Sequence, residues 1–341
     1  MKLKSILTIA AISIASLTYG QEASEALQIS GSVDTYFKYD FEKAPNIKTY
    51  FANEHNSVSL GMIDLALKKT TGKASFVGEL SFGPRGQAQS IAPSADGESF
   101  HIQNLYVNYA FSDKFTMTAG YMGTFVGYEV ISPVANFNYS TSYLFGYGPF
   151  QNAGIKGTYA FSGKASLMVG LFNDWNAYQD LNGVSHIGAQ LMLAPVEGWS
   201  AYINFLSGSS AGSPGTGTII DLTTAYQVTE KFKLGLNAAD YSIANDNGGY
   251  SGAAIYPQYA FSPAVALGLR GEYFNIKGAG GAADASLTAI TVSGNLKAGG
   301  LTFIPEIRFD SDEDLSQSFM KSNGAATKSA AQFSLAAVYA F

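Results

Sequence analysis

Arg270 and Glu272 stand two residues apart, as do Glu306 and Arg308, and each pair sits in a run whose alternate residues are large and apolar. On an extended strand residues i and i+2 share a face. Each pair therefore projects opposite charges to one side, away from the greasy one. The same parity gathers Asp34 and Lys38, Asp64, Glu79, Lys156, Asp221 and Lys233. Opposed charges around an aqueous passage set a transverse field that sorts solutes by charge and size, so a pore-lining role is the chemistry these residues invite. In a narrow barrel the same groups would instead pack as an ionic plug, leaving a closed structural or surface-recognition barrel. Turned toward lipid, a Lys or Arg would cost about 2–4 kcal/mol at mid-membrane.

Other chemistries have weaker spellings. Gly208-Ser209-Ser210-Ala211-Gly212 matches G-x-S-x-G, but a nucleophile elbow needs a strand that runs into a helix, and this one lies in a Ser/Gly-rich stretch. His55, His101 and His186 fall near one rim, where an outer-leaflet lipid hydrolase would need them; scattered surface histidines are the commoner case. The acidic run from Asp310 to Asp314 lacks the Gly and Glu of a calcium loop, with Leu315 and Lys321 at those places. A solvated outer loop that holds cations loosely is the expectation there. No Walker, Rossmann or zinc spacing occurs, so no catalytic residue, metal or cofactor is assigned.

The elements that carry the paired charges follow from composition and period. Charged residues are only 13% of the 341, against roughly a quarter in a soluble domain. Residues 1–20 read as a cleaved secretory leader: Lys2 and Lys4, an apolar run from Ile6 to Leu17, then small residues around Tyr19. The run is too short to span a bilayer. Residues 21–341 then form one domain, acidic overall and so no nucleic-acid binder. It has no cysteine and hence no disulfide framework.

From Leu27 onward the period is two. Leu105, Val107, Tyr109 and Phe111 alternate with Asn104, Tyr106 and Asn108, and Val265, Leu267 and Leu269 alternate with Ala266, Gly268 and Arg270. Sixteen such runs are counted, with fourteen and eighteen as alternatives, and the spacing suits strands of about 9–11 residues that cross a membrane at a tilt. Short turns such as Ser112-Asp113-Lys114 alternate with long connections. The fold class is all-β: a transmembrane antiparallel up-and-down barrel with short periplasmic turns and long extracellular loops.

Tyr-Ala-Phe ends the chain at Phe341 and occurs at Tyr109, Tyr159 and Tyr259, each time before a Ser. These triplets belong on one rim, as part of an aromatic girdle between hydrocarbon and headgroups. A last strand ending there should close against the first, since an open edge in lipid leaves backbone groups unpaired. Three places break the pattern: parity changes between Leu60 and Ile63, calling for a bulge near Gly61, and Pro257 and Pro305 call for bulges or strand ends.

The connection at 124–148 is expected to fold inward and constrict the mouth. It carries one charge, Glu129, among many aromatics, including Tyr139, Tyr143 and Phe145, and such a surface is costly to spread over an outer rim. The stretches Gly127 to Ile131, Pro133, Asn136, Tyr139-Ser140, Ser142 to Tyr147, Pro149-Phe150 and Gly154, then Gly170 to Asn176, resemble the signature region of the OmpL-like β-barrel porins of Gram-negative outer membranes. The resemblance implies passive diffusion of small hydrophilic solutes or ions, with no catalytic residues. The expected surroundings are outer-membrane lipid and lipopolysaccharide; a homotrimer is one state open to such a barrel. The terminal aromatic resembles the signal read by the outer-membrane assembly machinery.

Overall fold

The computed structural model describes residues 25–47, 50–86, 101–180, 182–314 and 319–341; the leader expected over 1–20 lies outside them. Sixteen antiparallel strands run in chain order around a closed barrel, from β1 (Gln28–Asp40) and β2 (Ser57–Thr71) to β15 (Leu301–Ser311) and β16 (Ser329–Ala340). The β1–β16 seam is continuous from Ser32↔Ala340 to Asp40↔Gln332. Beyond it, Gly31 and Phe341 exchange both backbone hydrogen bonds at 3.1 Å. A Cβ on Gly31 would come within 2.8 Å of the Phe341 ring, so the terminal aromatic lies across a position that has no side chain.

Which residues form the wall follows from inverted burial: the large apolar side chains are the exposed ones. On β4 (Ile102–Ala110) Leu105 and Val107 are 53% and 59% exposed, while Asn104, Tyr106 and Asn108 face inward and are half-buried. That pattern is stable only against lipid. At the short-turn rim Tyr109 and Phe111, Tyr159 and Phe161, and Tyr259 and Phe261 meet edge to face, 4.9, 5.3 and 5.0 Å between centroids. The serine after each triplet makes the turn. Ser112 Oγ accepts the N–H groups of Lys114 and Phe115 at 3.3 and 3.2 Å. Ser262 Oγ takes those of Ala264 and Val265 at 3.3 and 3.1 Å, and Ser162 Oγ takes that of Lys164 at 3.1 Å.

The parity break on β2 is a bulge. Val33 faces Ile63 but Thr35 faces Leu60, so Gly61 and Met62 share one place opposite Asp34. The Met62 N–H, displaced from the ladder, donates to Asp34 Oδ1 at 2.9 Å. At the two prolines the expectation fails. Pro257, in β12 (Asn247–Ser262), pairs with Leu234, and Pro305, in β15, pairs with Leu335, with no register shift at either. In an antiparallel ladder each N–H points to one neighbour only, so a proline removes one bond and the strand continues. Beside Pro305, Gly294 leaves room for the ring: a Cβ there would lie 3.4 Å from it.

Candidate functional site

Between β5 (Phe115–Gly123) and β6 (Gln151–Ser162) the chain leaves the wall and crosses the lumen. Its aromatics find sockets on the inner wall. Tyr128 stacks on Tyr256 at 4.4 Å above Gly235, where a Cβ would meet the Tyr128 hydroxyl at 2.3 Å. Phe137 lies over Gly268, where a Cβ would meet its ring at the same distance. Tyr143 and Tyr147 pack on Phe274, 5.9 and 4.6 Å between centroids, and Phe145 and Phe150 pack on each other and on Phe51. A short helix, α1 (Tyr143–Tyr147), lies within the loop; Ser142 caps it by accepting the Phe145 N–H.

Irregular backbone in a barrel interior needs partners for its amides and carbonyls, and the inward charges supply them. Glu306, on β15, accepts the N–H groups of Tyr139 and Ser140 at 2.9 and 3.1 Å. Glu272, on β13 (Val265–Ala279), accepts that of Tyr143 at 2.8 Å, and the loop's own Glu129 accepts that of Ser142 at 2.6 Å. The arginines treat the carbonyls in the same way. Arg270 donates to Ser140 O at 2.5 Å and Thr141 O at 3.2 Å, and Arg308 donates to Thr141 O at 2.7 Å. Ion pairs knit the donors together: Arg270 with Glu129 at 2.8 Å and Glu272 at 2.6 Å, Arg308 with Asp310 at 2.7 Å. Burial pushes the Glu129 carboxyl upward, and the adjacent Arg270 pulls it back down.

Both arginines are 0% exposed. Arg270, Glu272, Glu306 and Arg308 therefore face inward, as their parity predicts, but they lie under the loop and hold it. Asp34 joins them: it accepts from Met62 and from the Tyr139 hydroxyl, and Arg85 stands 3.9 Å away, its guanidinium 4.3 Å over Phe51 and 4.8 Å over Tyr139. Lys38 is equally enclosed, donating to Ile47 O at 2.6 Å beside Asp40. Asp221 accepts from Gly127 N at 2.9 Å and from Asn204 at 2.6 Å. Asp64 is held by Ser32 and Glu79 by Asn104. Lys156 and Lys233 are half-buried, and neither has an ion-pair or hydrogen-bond partner among the described residues.

Asp34→Ala is expected to destabilise the barrel by about 3 kcal/mol, because it strands the buried bulge amide and the Tyr139 hydroxyl and removes a buried carboxylate beside Arg85. The check is the temperature at which the compact, heat-modifiable gel species is lost; an unchanged transition would mean that the bulge amide finds another partner.

Two residues are placed otherwise than the sequence implied. Asp310 and Asp312 were expected in a solvated outer loop, yet both are 0% exposed. Asp310 lies on β15, where it continues the inward parity of Glu306 and Arg308 and accepts from Arg308 and the Tyr143 hydroxyl. That parity was the available signal. Arg85 carried none, since it follows the end of a strand. Near the long-loop rim Ser185, His186 and Asp174 cluster, Ser185 Oγ lying 2.8 Å from His186 Nδ1 and 3.0 Å from Asp174. Asp174 approaches that same ring nitrogen at 3.6 Å; a relay needs the serine and carboxylate on opposite nitrogens. Gly208 ends β9 (Trp199–Gly208) and the next element is another strand, so the G-x-S-x-G spelling has no elbow around it.

The family model described as "Putative beta-barrel porin-2, OmpL-like" matches residues 26–341. No curated protein sequence matches the chain. Among solved structures, the outer membrane channel DcaP of Acinetobacter baumannii superposes with a TM-score of 0.62 at 13% identity, covering 92% of this chain and 97% of that one. The anion-selective porin from Comamonas acidovorans gives 0.62 at 14% identity, over 93% and 99% of the two chains. The trimer form of OmpT from Vibrio cholerae gives 0.58 at 14% identity, over 92% and 99%.

Proposed function

This chain belongs to the OmpL-like β-barrel porin-2 family, and from that membership we propose that it is an outer-membrane diffusion channel for small hydrophilic solutes or ions. The observation that carries the reading is the loop seated across the lumen. Its backbone is bonded to wall residues on β13 and β15 and its Tyr139 hydroxyl to Asp34 on β1, while the opposite wall keeps half-exposed polar side chains, Tyr106, Asn108, Thr158 and Lys156 among them. Solutes would pass between the loop and that wall, past Asp64, Glu79, Lys156 and Lys233. Asp34, Arg270, Glu272, Glu306 and Arg308 would hold the constriction in place, with Glu129, Tyr139, Tyr143 and Phe145 as its body, while Lys38 ties down the first long connection at Ile47.

The work is passive and needs no catalytic group or cofactor. Residues 1–20 would direct export, the apolar belt would sit in outer-membrane lipid and lipopolysaccharide, and the assembly machinery would read the aromatic last strand. The trimer form of the Vibrio cholerae protein supports a homotrimer. A closed structural barrel is the competing reading, favoured by the fully buried charges under the loop.

Purified protein added to a planar bilayer should give discrete openings, and liposomes carrying it should swell in small sugars at rates that fall with sugar size. A silent bilayer together with sugar-tight liposomes would establish the closed barrel instead.

A further inference from the structure

Three lysines gather at one end of the lumen. At the inward positions next to the short turns the charged side chains are Lys68 on β2, Lys233 on β11 (Phe232–Ile243) and Lys297 on β14 (Ala285–Ala298), with Lys156 on β6 above them. Their inward neighbours near the turns are Ser75, Asn108, Thr158, Gln190, Tyr202, Gln258 and the like. Beside Lys68, Lys233 and Lys297 no inward carboxylate stands among the described residues; Asp113, Glu197 and Glu230 lie in the turns themselves, and Glu79 and Asp221 stand about as far from their turns as Lys156 does.

The inward carboxylates stand farther from the turns than Lys68, Lys233 and Lys297, several of them level with Lys156, and they are hydrogen-bonded. Glu272 and Glu306 take loop amides, Asp310 takes Arg308, Asp221 takes Gly127 and two asparagines, and Asp34 takes Met62. Asp64 and Glu79, nearest to the turns, are oriented by Ser32 and Asn104, neutral donors that fix their geometry without cancelling charge. The four lysines differ: among the described residues none has an ion-pair or hydrogen-bond partner. Lys68 and Lys297 are exposed, Lys156 and Lys233 half-buried.

Uncompensated cations in a confined, low-dielectric mouth raise the local concentration of anions and lower that of cations. On an acidic chain, with a formal net charge of −6, such a cationic zone is a local feature of the wall and not a consequence of composition. The opposite rim is acidic, with Asp174, Asp180, Asp246 and Asp284 in the long loops. We infer that the short-turn vestibule is an anion-collecting site built on Lys233 with Lys68 and Lys297 and continued inward by Lys156, and that the solutes favoured by the channel are small anions bearing chloride-like, carboxylate or phosphate charge. The inference rests on the channel reading above and specifies its solute class.

The test is the zero-current potential of the full-length mature protein in a planar bilayer under a tenfold potassium chloride gradient. The wild type should favour chloride over potassium about threefold or more at low salt, with the preference shrinking as ionic strength rises. Lys156→Gln with Lys233→Gln should bring the ratio close to unity, and Lys156→Glu with Lys233→Glu should invert it. Neutral glutamines on the inner wall leave the barrel intact, which the heat-modifiable gel species verifies. Openings that are cation-selective in the wild type, or a zero-current potential unmoved by both double variants, overturn the anion assignment and leave the channel standing. Absence of any opening removes the channel reading, and this inference with it.

Discussion

Alanine at both Arg270 and Arg308 should raise single-channel conductance about twofold or more and admit larger sugars in liposome swelling, because a freed loop widens the narrowest section of the pore. Arg270 gives hydrogen bonds to Glu129, Glu272, Ser140 and Thr141, and Arg308 to Thr141 and Asp310. Removing one partner of a buried ion pair costs roughly 3–5 kcal/mol, since the other charge stays buried and alone. Each stranded loop carbonyl adds about 1–3 kcal/mol. Seated, the loop would leave Glu129, Glu272 and Asp310 uncompensated; released, it lets water reach all three.

The alternative role for these arginines, a field acting across open water, gives a different result. Loss of two cations would then shift ion preference and leave conductance and size limit nearly unchanged. Measuring both quantities on the same double variant separates the two roles. The outward residues of β13 and β15 are untouched by the change, so the closed barrel should still form and show its heat-modifiable band.

Most of the barrel was legible because lipid inverts the usual hydrophobic pattern without blurring it. Period two on Leu105, Val107 and Tyr109 could be assigned to a strand, and the low charge content turned the greasy side outward. Even the bulge at Gly61 was visible, since parity cannot change within a strand unless a residue is added. Pro257 and Pro305 were misread for a geometric reason: the neighbour toward which a missing N–H would have pointed depends on pairing, not on local sequence. The inward charges show the other limit. Parity states which way Arg270 and Glu306 face, but their partners are backbone atoms of a loop more than a hundred residues away, and backbone leaves no compositional trace. The acidic run at Asp310 misled because composition suggested a loop while parity, continued from Arg308, gave the strand.

A single methyl-bearing side chain should undo the wall from which that loop departs. Gly120 lies on β5 opposite Tyr106, with φ of +138°, a backbone conformation open to glycine and strained for any branched residue. A Cβ there would approach the Leu105 carbonyl oxygen to 2.3 Å and the Tyr106 Cα to 2.6 Å. Both are backbone atoms of β4, so relief means parting the two strands. In lipid no water replaces the lost ladder bonds. Strain of about 1–3 kcal/mol and overpacking of about 1–3 kcal/mol add to that loss. Gly120→Val is therefore expected to lower the transition of the heat-modifiable species by about 10 °C or more, or to prevent its assembly. Gly163 is the matched control: it sits in a short turn, with nothing within 4 Å of an added Cβ, so Gly163→Ala should leave the transition in place. If both variants melted with the wild type, the close approach of β4 and β5 at Gly120 would not be a feature of the folded barrel.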